Sequence, residues 1–188
     1  FIRKRIADKL KDDKVEEHLN ILEEEVAISD RIINDILTYG RIKAPRLSDI
    51  DLNGIISRVV TRTMVGEHKV ALAMDLDESL KGVMADENHM THLFTNIVSN
   101  ALDAMPEGGT LSIKTRRGDT KVEISIEDTG IGIPEEFIGK IFDPDFSTKS
   151  RGTGLGLSIC HSIVGLHDGR IDVKSRPGKG TEFKITLP

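Results

Sequence analysis

The chain has 188 residues, of which 38% are hydrophobic and 30% charged, and a formal net charge of −5. That composition is globular and well solvated, and its acidic balance argues against nucleic-acid binding, which needs a basic face. Apolar runs are only a few residues long, so no segment is expected to span or contact a bilayer. The single cysteine, Cys160, cannot close an internal disulfide; it fits a reducing, cytoplasmic setting and reads as a small buried hydrophobe on a helix. Phe1 and Ile2 open onto RKRIADKLKDDK, with no signal-peptide pattern, and the start reads as a cut through a longer protein, whose membrane anchorage is left open.

In chain order, residues 1–42 read as part of a helical hairpin. Phe1, Ile2, Ile6 and Leu10 suggest the end of one helix, and KDDK a turn. From residue 15, Leu19, Leu22, Val26, Ser29, Ile33 and Ile36 alternate spacings of three and four, with Ile21, Ile28 and Ile32 widening the seam. A helix of about 27 residues would be ~40 Å long. Such a stripe is too long to bury within one small domain and calls for partner helices, most simply in a dimeric four-helix bundle. Residues 43–50, with Pro45, break the periodicity and read as a linker.

Residues 51–188 change texture. LNGIISRVVTRTM is helical, HKVALAMDLD alternates like a strand, and ENHMTHLFTNIVSNALDAM is a helix ended by PEGG. TLSIKTRR and KVEISIED form a hairpin around Gly118–Asp119. LGLSICHSIVGLH is helical, and GRIDVKS with GKGTEFKITL makes a second hairpin. Helices mixed with antiparallel hairpins predict an α+β, two-layer α/β sandwich and not a doubly wound parallel sheet.

Two glycine clusters carry the chemistry. DTGIGIP (128–134) follows a strand and brings an acid, Asp128, to its end. RGTGLGLS (151–158) opens a helix, whose unpaired backbone N–H groups suit phosphate oxygens. Each cluster alone is weak evidence, since glycine doublets are more often turns. Residues 134–151, between them, could form a lid. Asn96 and Asn100 lie four apart on one helical face, and a neutral amide oxygen can ligate magnesium. On Asn100 alone, a solvated polar stripe is the plainer reading; the three features in this order make it improbable.

Together these segments resemble the ATP-binding domain of two-component sensor histidine kinases. NIVSNALDA resembles the family's N-box, DTGIGIP its first G-box and RGTGLGLS its second. The fold is shared with type II topoisomerases, mismatch-repair ATPases and the large heat-shock chaperone ATPases, but LGLSICHSIVGLHDGRIDVKSRPGKGTEFKITLP looks specifically like the kinase branch. EEHLNILEEEVAISDRIINDILTYGR resembles the second dimerisation helix.

The resemblance implies ATP and Mg2+ as cofactors, homodimerisation through the hairpin, and relay of phosphate to an aspartate of a response regulator. By the same resemblance Asp128 would accept the adenine amino proton, with Gly130, Gly132 and Ile133 shaping the pocket wall. Asn100 would ligate magnesium, with Asn96 and Asp103 nearby on the same helix. Gly152, Thr153, Gly154, Leu155 and Gly156 would meet the triphosphate, Lys149 and Arg151 would add charge from the lid, and Thr181 would back the adenine pocket. Hydrolysing relatives carry a glutamate at the position of Asn96; an amide cannot take a proton from water, which favours transfer over hydrolysis.

Two departures from the family pattern stand out. Asp145, in IFDPDFSTK, occupies a place where a second aromatic residue is usual, and an acid there is expected to upset an apolar lid contact. None of His18, His68, His89, His92, His161 and His167 has the context of the family's phosphoacceptor, so the acceptor is expected to lie outside this chain. A module that binds ATP without transferring phosphate is the rival reading.

Overall fold

A computed structural model describes residues 15, 18, 19, 21, 22, 25, 26, 29, 33, 43–65, 69–80, 82–148 and 153–188. Val15, His18, Leu19, Ile21, Leu22, Glu25, Val26, Ser29 and Ile33 all have helical backbone, in line with the heptad reading. The expected preceding helix over 1–10 and the seam positions Ile28, Ile32 and Ile36 lie outside the described residues.

Beyond the linker, the apolar periodicity becomes three packed helices. Helix α1 (Leu52–Thr63) starts at Asp51, whose side chain accepts the Gly54 N–H, and buries Leu52, Ile55, Ile56, Val59 and Val60 along one face. Helix α2 (Glu87–Asp103) starts at Asp86, which caps Asn88 and His89, and buries Met90, Leu93, Phe94, Ile97, Val98 and Ala101. A short helix, α3 (Glu135–Ile138), precedes α4 (Gly156–Leu166), which buries Ile159, Cys160, Ile163 and Val164. The cysteine is indeed a core residue. Helix α2 packs against both α1 and α4.

These helices cover one face of a five-stranded sheet. Its strands are β2 (Val70–Asp75), β4 (Gly109–Arg117), β5 (Val122–Asp128), β6 (Arg170–Arg176) and β7 (Gly180–Leu187), in the order β2-β4-β5-β7-β6. Only β2 and β4 run parallel; all other pairs are antiparallel. Alternation sorts the side chains as the pleat requires. Leu111, Ile113, Ile124, Ile126, Phe183 and Ile185 are buried against the helices, whereas Lys184 and Glu123 on the opposite face pair at 3.0 Å. One covered and one solvated face make the two-layer sandwich expected from the pattern.

Two details differ from the sequence reading. Ser48–Ile50, read as linker, form a strand, β1, antiparallel to β3 (Val83–Ala85), with Ile50 and Val83 buried between them and the core. Three-residue strands are too short to show a period. In β2 the alternation does not translate into burial, because only Val70 is enclosed in this edge strand. Among the described residues, no helix is long and apolar enough to cross a membrane.

Candidate functional site

The pairing register sets Asp128 in a row that crosses the sheet. Leu111 of β4 pairs with Asp128 of β5, Asp128 with Thr181 of β7, and Thr181 with Ser175 of β6. A spacing of two along β5 turns Asp128 toward the helix side with Ile124 and Ile126, so a carboxylate stands where an apolar side chain would otherwise sit. It is only 4% exposed. Burial pushes its carboxyl above the usual carboxylate range, although N–H donors from Gly130 and Thr181 work the other way. Oδ1 accepts the Gly130 N–H at 2.8 Å, which bends the chain out of the strand.

The loop after Asp128 is wedged between the end of α2 and the β6–β7 turn. A side chain on Gly130 would place its β-carbon 2.4 Å from the carbonyl oxygen of Ala104, to which Ile131 donates at 3.0 Å. Gly132 has φ +69°, and a β-carbon there would lie 2.1 Å from the Arg176 carbonyl oxygen. Glycine is therefore imposed at both positions by close backbone approach. The N–H of Gly178 donates to Ile131 O at 2.7 Å, and that of Ile133 to Ser175 Oγ at 2.8 Å.

Ser175 was not singled out in the sequence. Its hydroxyl donates to Gly180 O at 2.9 Å and lies 2.9 Å from Thr181 Oγ1, so it pins the Asp128 loop to both strands behind it. The only sequence signal was its place opposite Thr181 in the second hairpin, which needs the register before it can be read.

Helix α2 forms a second side of the site. Asn96, Asn100 and Asp103, spaced by four and three, share one face; the asparagines are half-buried and Asp103 is exposed. His92 is exposed, in keeping with its plainer reading as a polar helix residue. The amide of Asn96 donates to Gly156 O at 3.3 Å, which ties α2 to the first residue of α4.

The second glycine cluster leads into that helix. Gly154 has φ +71°, and a β-carbon there would lie 2.4 Å from the carbonyl carbon of Asp145. Thr153 Oγ1 accepts the Leu155 N–H at 3.2 Å, and the Leu155 side chain joins the core. Among the described residues no side chain caps the N-terminus of α4, so its first N–H groups carry the partial positive charge that suits an anion. Lys149, Arg151 and Gly152 lie outside the described residues.

The segment before this cluster is a chain of short turns held by aromatic contacts. Phe137 and Phe146 meet with ring centroids 5.5 Å apart, and Phe142 lies 5.4 Å from the His161 ring on α4. Asp145 is exposed, with φ +66°. The expected clash of an acid with an apolar contact is thus avoided: Phe146, the next residue, makes the contact, and Asp145 supplies a left-handed turn that aspartate tolerates better than an aromatic residue does.

Chemically, the arrangement offers a buried acceptor at one end, a helix N-terminus at the other, and hard amide oxygens between them. That donor set suits a purine amine, phosphate oxygens and a magnesium ion held partly by phosphate.

Residues 85–188 match the family described as histidine kinase-, DNA gyrase B- and HSP90-like ATPases. The chain is 33% identical over 177 residues to sporulation kinase C of Bacillus subtilis (strain 168), covering 92% of this chain and 41% of that protein. Among solved structures, full-length ShkA in complex with AMPPNP aligns with a TM-score of 0.77 and 25% identity, covering 92% of this chain and 38% of that one. Histidine kinase ThkA in complex with the response regulator protein TrrA aligns with a TM-score of 0.76 and 28% identity, covering 100% of this chain and 56% of that one. The chain spans less than half the length of the curated relatives it matches.

Proposed function

This chain belongs to the histidine kinase-, DNA gyrase B- and HSP90-like ATPase family, and from that premise we propose that it is the catalytic part of a sensor histidine kinase. In this reading residues 51–188 are the ATP-binding domain, 43–50 the linker and 1–42 part of the dimerising hairpin. The observation that carries it is the buried Asp128 carboxylate. Burial raises its pKa against the N–H donors of Gly130 and Thr181, so these two bonds do not fully offset the burial of the ionised form, and an exocyclic amine of adenine would complete it.

The other assignments belong to the same reading. Gly130, Gly132 and Ile133 line the adenine side, and Thr181, backed by Ser175, closes it. Thr153, Gly154, Leu155 and Gly156 present backbone to the phosphates at the start of α4, with Gly152, Lys149 and Arg151 supplying further backbone and charge. Asn100 holds magnesium, and Asp103 extends the same face. Magnesium, when bound with ATP, offsets negative charge on the phosphates during transfer.

Transfer breaks the bond from the γ-phosphorus to the β,γ-bridging oxygen and forms one to an imidazole nitrogen. ADP leaves, and the imidazole proton passes to solvent. Asn96 positions α4 through Gly156 and has no basic lone pair with which to activate water. From the histidine, phosphate passes to an aspartate of a response regulator. The ThkA–TrrA complex supports that partner by analogy. Helical residues Leu22 and Val26, each 60% exposed, support a homodimer, since they need a covering partner helix.

Calorimetry with Mg-ATP, followed by labelling of a supplied hairpin that bears an acceptor histidine, tests the proposal. The expected result is binding together with acid-labile, alkali-stable phosphate on the acceptor. Binding without labelling would make the chain an ATP-gated interaction module instead.

A further inference from the structure

Asp86 divides its two carboxylate oxygens between two tasks. Oδ1 caps α2 by accepting the N–H groups of Asn88 at 3.0 Å and His89 at 3.1 Å. Oδ2 accepts the N–H of Arg46, 40 residues earlier in the chain and next to Pro45, at 2.8 Å. Capping needs one oxygen only. The second therefore serves the linker alone.

The backbone of Asp86 makes a third connection. Its N–H donates to Nε2 of His167 at 3.1 Å, just past the C-terminus of α4. Nε2 must then be the bare nitrogen, and Nδ1 carries the proton that goes to Ile163 O at 2.8 Å. Asp86 is 8% and His167 6% exposed, so the two His167 bonds are shielded from water, whereas the bond to Arg46 is partly buried. Burial works to raise the Asp86 carboxyl, but the N–H groups of Arg46, His89 and Asn88 and the nearby His89 ring hold it below its usual value. The oxygen facing Arg46 is thus a charged acceptor, and such bonds are the stronger kind.

One residue in this way joins the linker, the start of α2 and the end of α4. The Asn96–Gly156 bond joins the same two helices again, beside the second glycine cluster. We infer that Asp86 is a positioning residue whose Oδ2–Arg46 bond fixes the angle at which the nucleotide-bearing helices face the phosphoryl acceptor. It touches no nucleotide. A rotation of residues 43–46 reaches α2 directly through this bond; without it the linker is held only from Ser48 onward, by the β1–β3 pairing. The inference rests on the kinase reading above and adds the point through which upstream movement acts on it.

Two substitutions remove the same bond from opposite sides. Asp86→Asn keeps an oxygen for the cap but sets an amide donor against the Arg46 N–H. Arg46→Pro removes that N–H, at a position already following a proline. Asp86→Ala, which loses cap and bond together, gauges the structural loss. In the full-length protein, Mg-ATP affinity is measured by calorimetry, and histidine phosphorylation as an initial rate at saturating ATP. Asp86→Asn and Arg46→Pro should each leave Kd within about two-fold while changing the rate by about five-fold or more. Both changes should have the same sign, and the double variant should do no more than either single one. Asp86→Ala should weaken ATP binding and lower Tm as well. Unchanged rates in both single variants would overturn the inference, as would a loss of affinity that matches the loss of rate. A full-length protein that binds Mg-ATP but is never phosphorylated would remove the kinase reading and this inference with it.

Discussion

The two glycine-rich walls of the candidate site are built in opposite ways. The Asp128 wall belongs to the sheet: Asp128, Thr181 and Ser175 stand in one register row, and Gly130 and Gly132 press on backbone carbonyls from two other elements. The wall at 153–156 belongs to a loop and a helix end, where Gly154 rests on the backbone of Asp145 and, among the described residues, no side chain caps α4. One wall is complete before a ligand arrives, which suits recognition of a rigid base. The other offers N–H groups still in want of an anion, which suits a flexible chain of phosphates.

The largest expected effect comes from forcing a side chain into the rigid wall. Gly132→Ala combines a left-handed φ with a β-carbon 2.1 Å from the Arg176 carbonyl oxygen, and Arg176 cannot retreat without breaking the β6–β7 ladder, where it pairs with Gly180. A loss of about 3 kcal/mol or more in urea unfolding is expected, at the upper end for single substitutions. Gly154→Ala has a similar φ but meets a turn at the exposed Asp145, which can shift; about 1–2 kcal/mol is expected there. Equal losses would mean that the two walls are equally rigid.

Asp128→Asn should separate ligand binding from stability. An amide would set a donor against the adenine amine, so ATP affinity should fall by about 2 kcal/mol, or roughly thirty-fold, in calorimetry. The empty protein should respond in the opposite sense. Because the folded carboxyl titrates above its usual value, the folded state holds its proton longer than the unfolded state does. This contribution to stability is therefore fully present in acid and is lost as pH rises from the ordinary carboxylate range through the raised value. The variant should accordingly lose less stability than the parent over that rise. Parallel curves would show that Asp128 is not strained in the empty site.

Most of the layer structure was legible in the sequence, because α2 and the β4–β5 hairpin repeat their apolar positions over enough residues to reveal a period. Both glycine clusters were visible as well, through composition. What could not be read were contacts set by register or by single atoms. Ser175 acquires its role only when β6 pairs with β7, and the three-residue pair β1–β3 is too short for periodicity. Asp145 is the instructive case. Its side chain suggested a damaged apolar contact, whereas its backbone explains why an aspartate stands there.

That explanation yields the smallest effect and the finest test of the looser wall. At φ +66°, asparagine is accommodated as readily as aspartate, so Asp145→Asn should change stability by only a few tenths of a kcal/mol. Phenylalanine has no such tolerance, and the left-handed turn would disfavour it by about 1–2 kcal/mol. Asp145→Phe should therefore loosen the turn on which Gly154 rests, even though it restores an aromatic residue at that position. Hydrogen exchange over residues 143–148 and 153–156 should be faster in Asp145→Phe than in the parent, and unchanged in Asp145→Asn. Slower exchange in the phenylalanine variant would mean that apolar packing, and not the backbone of residue 145, governs this wall.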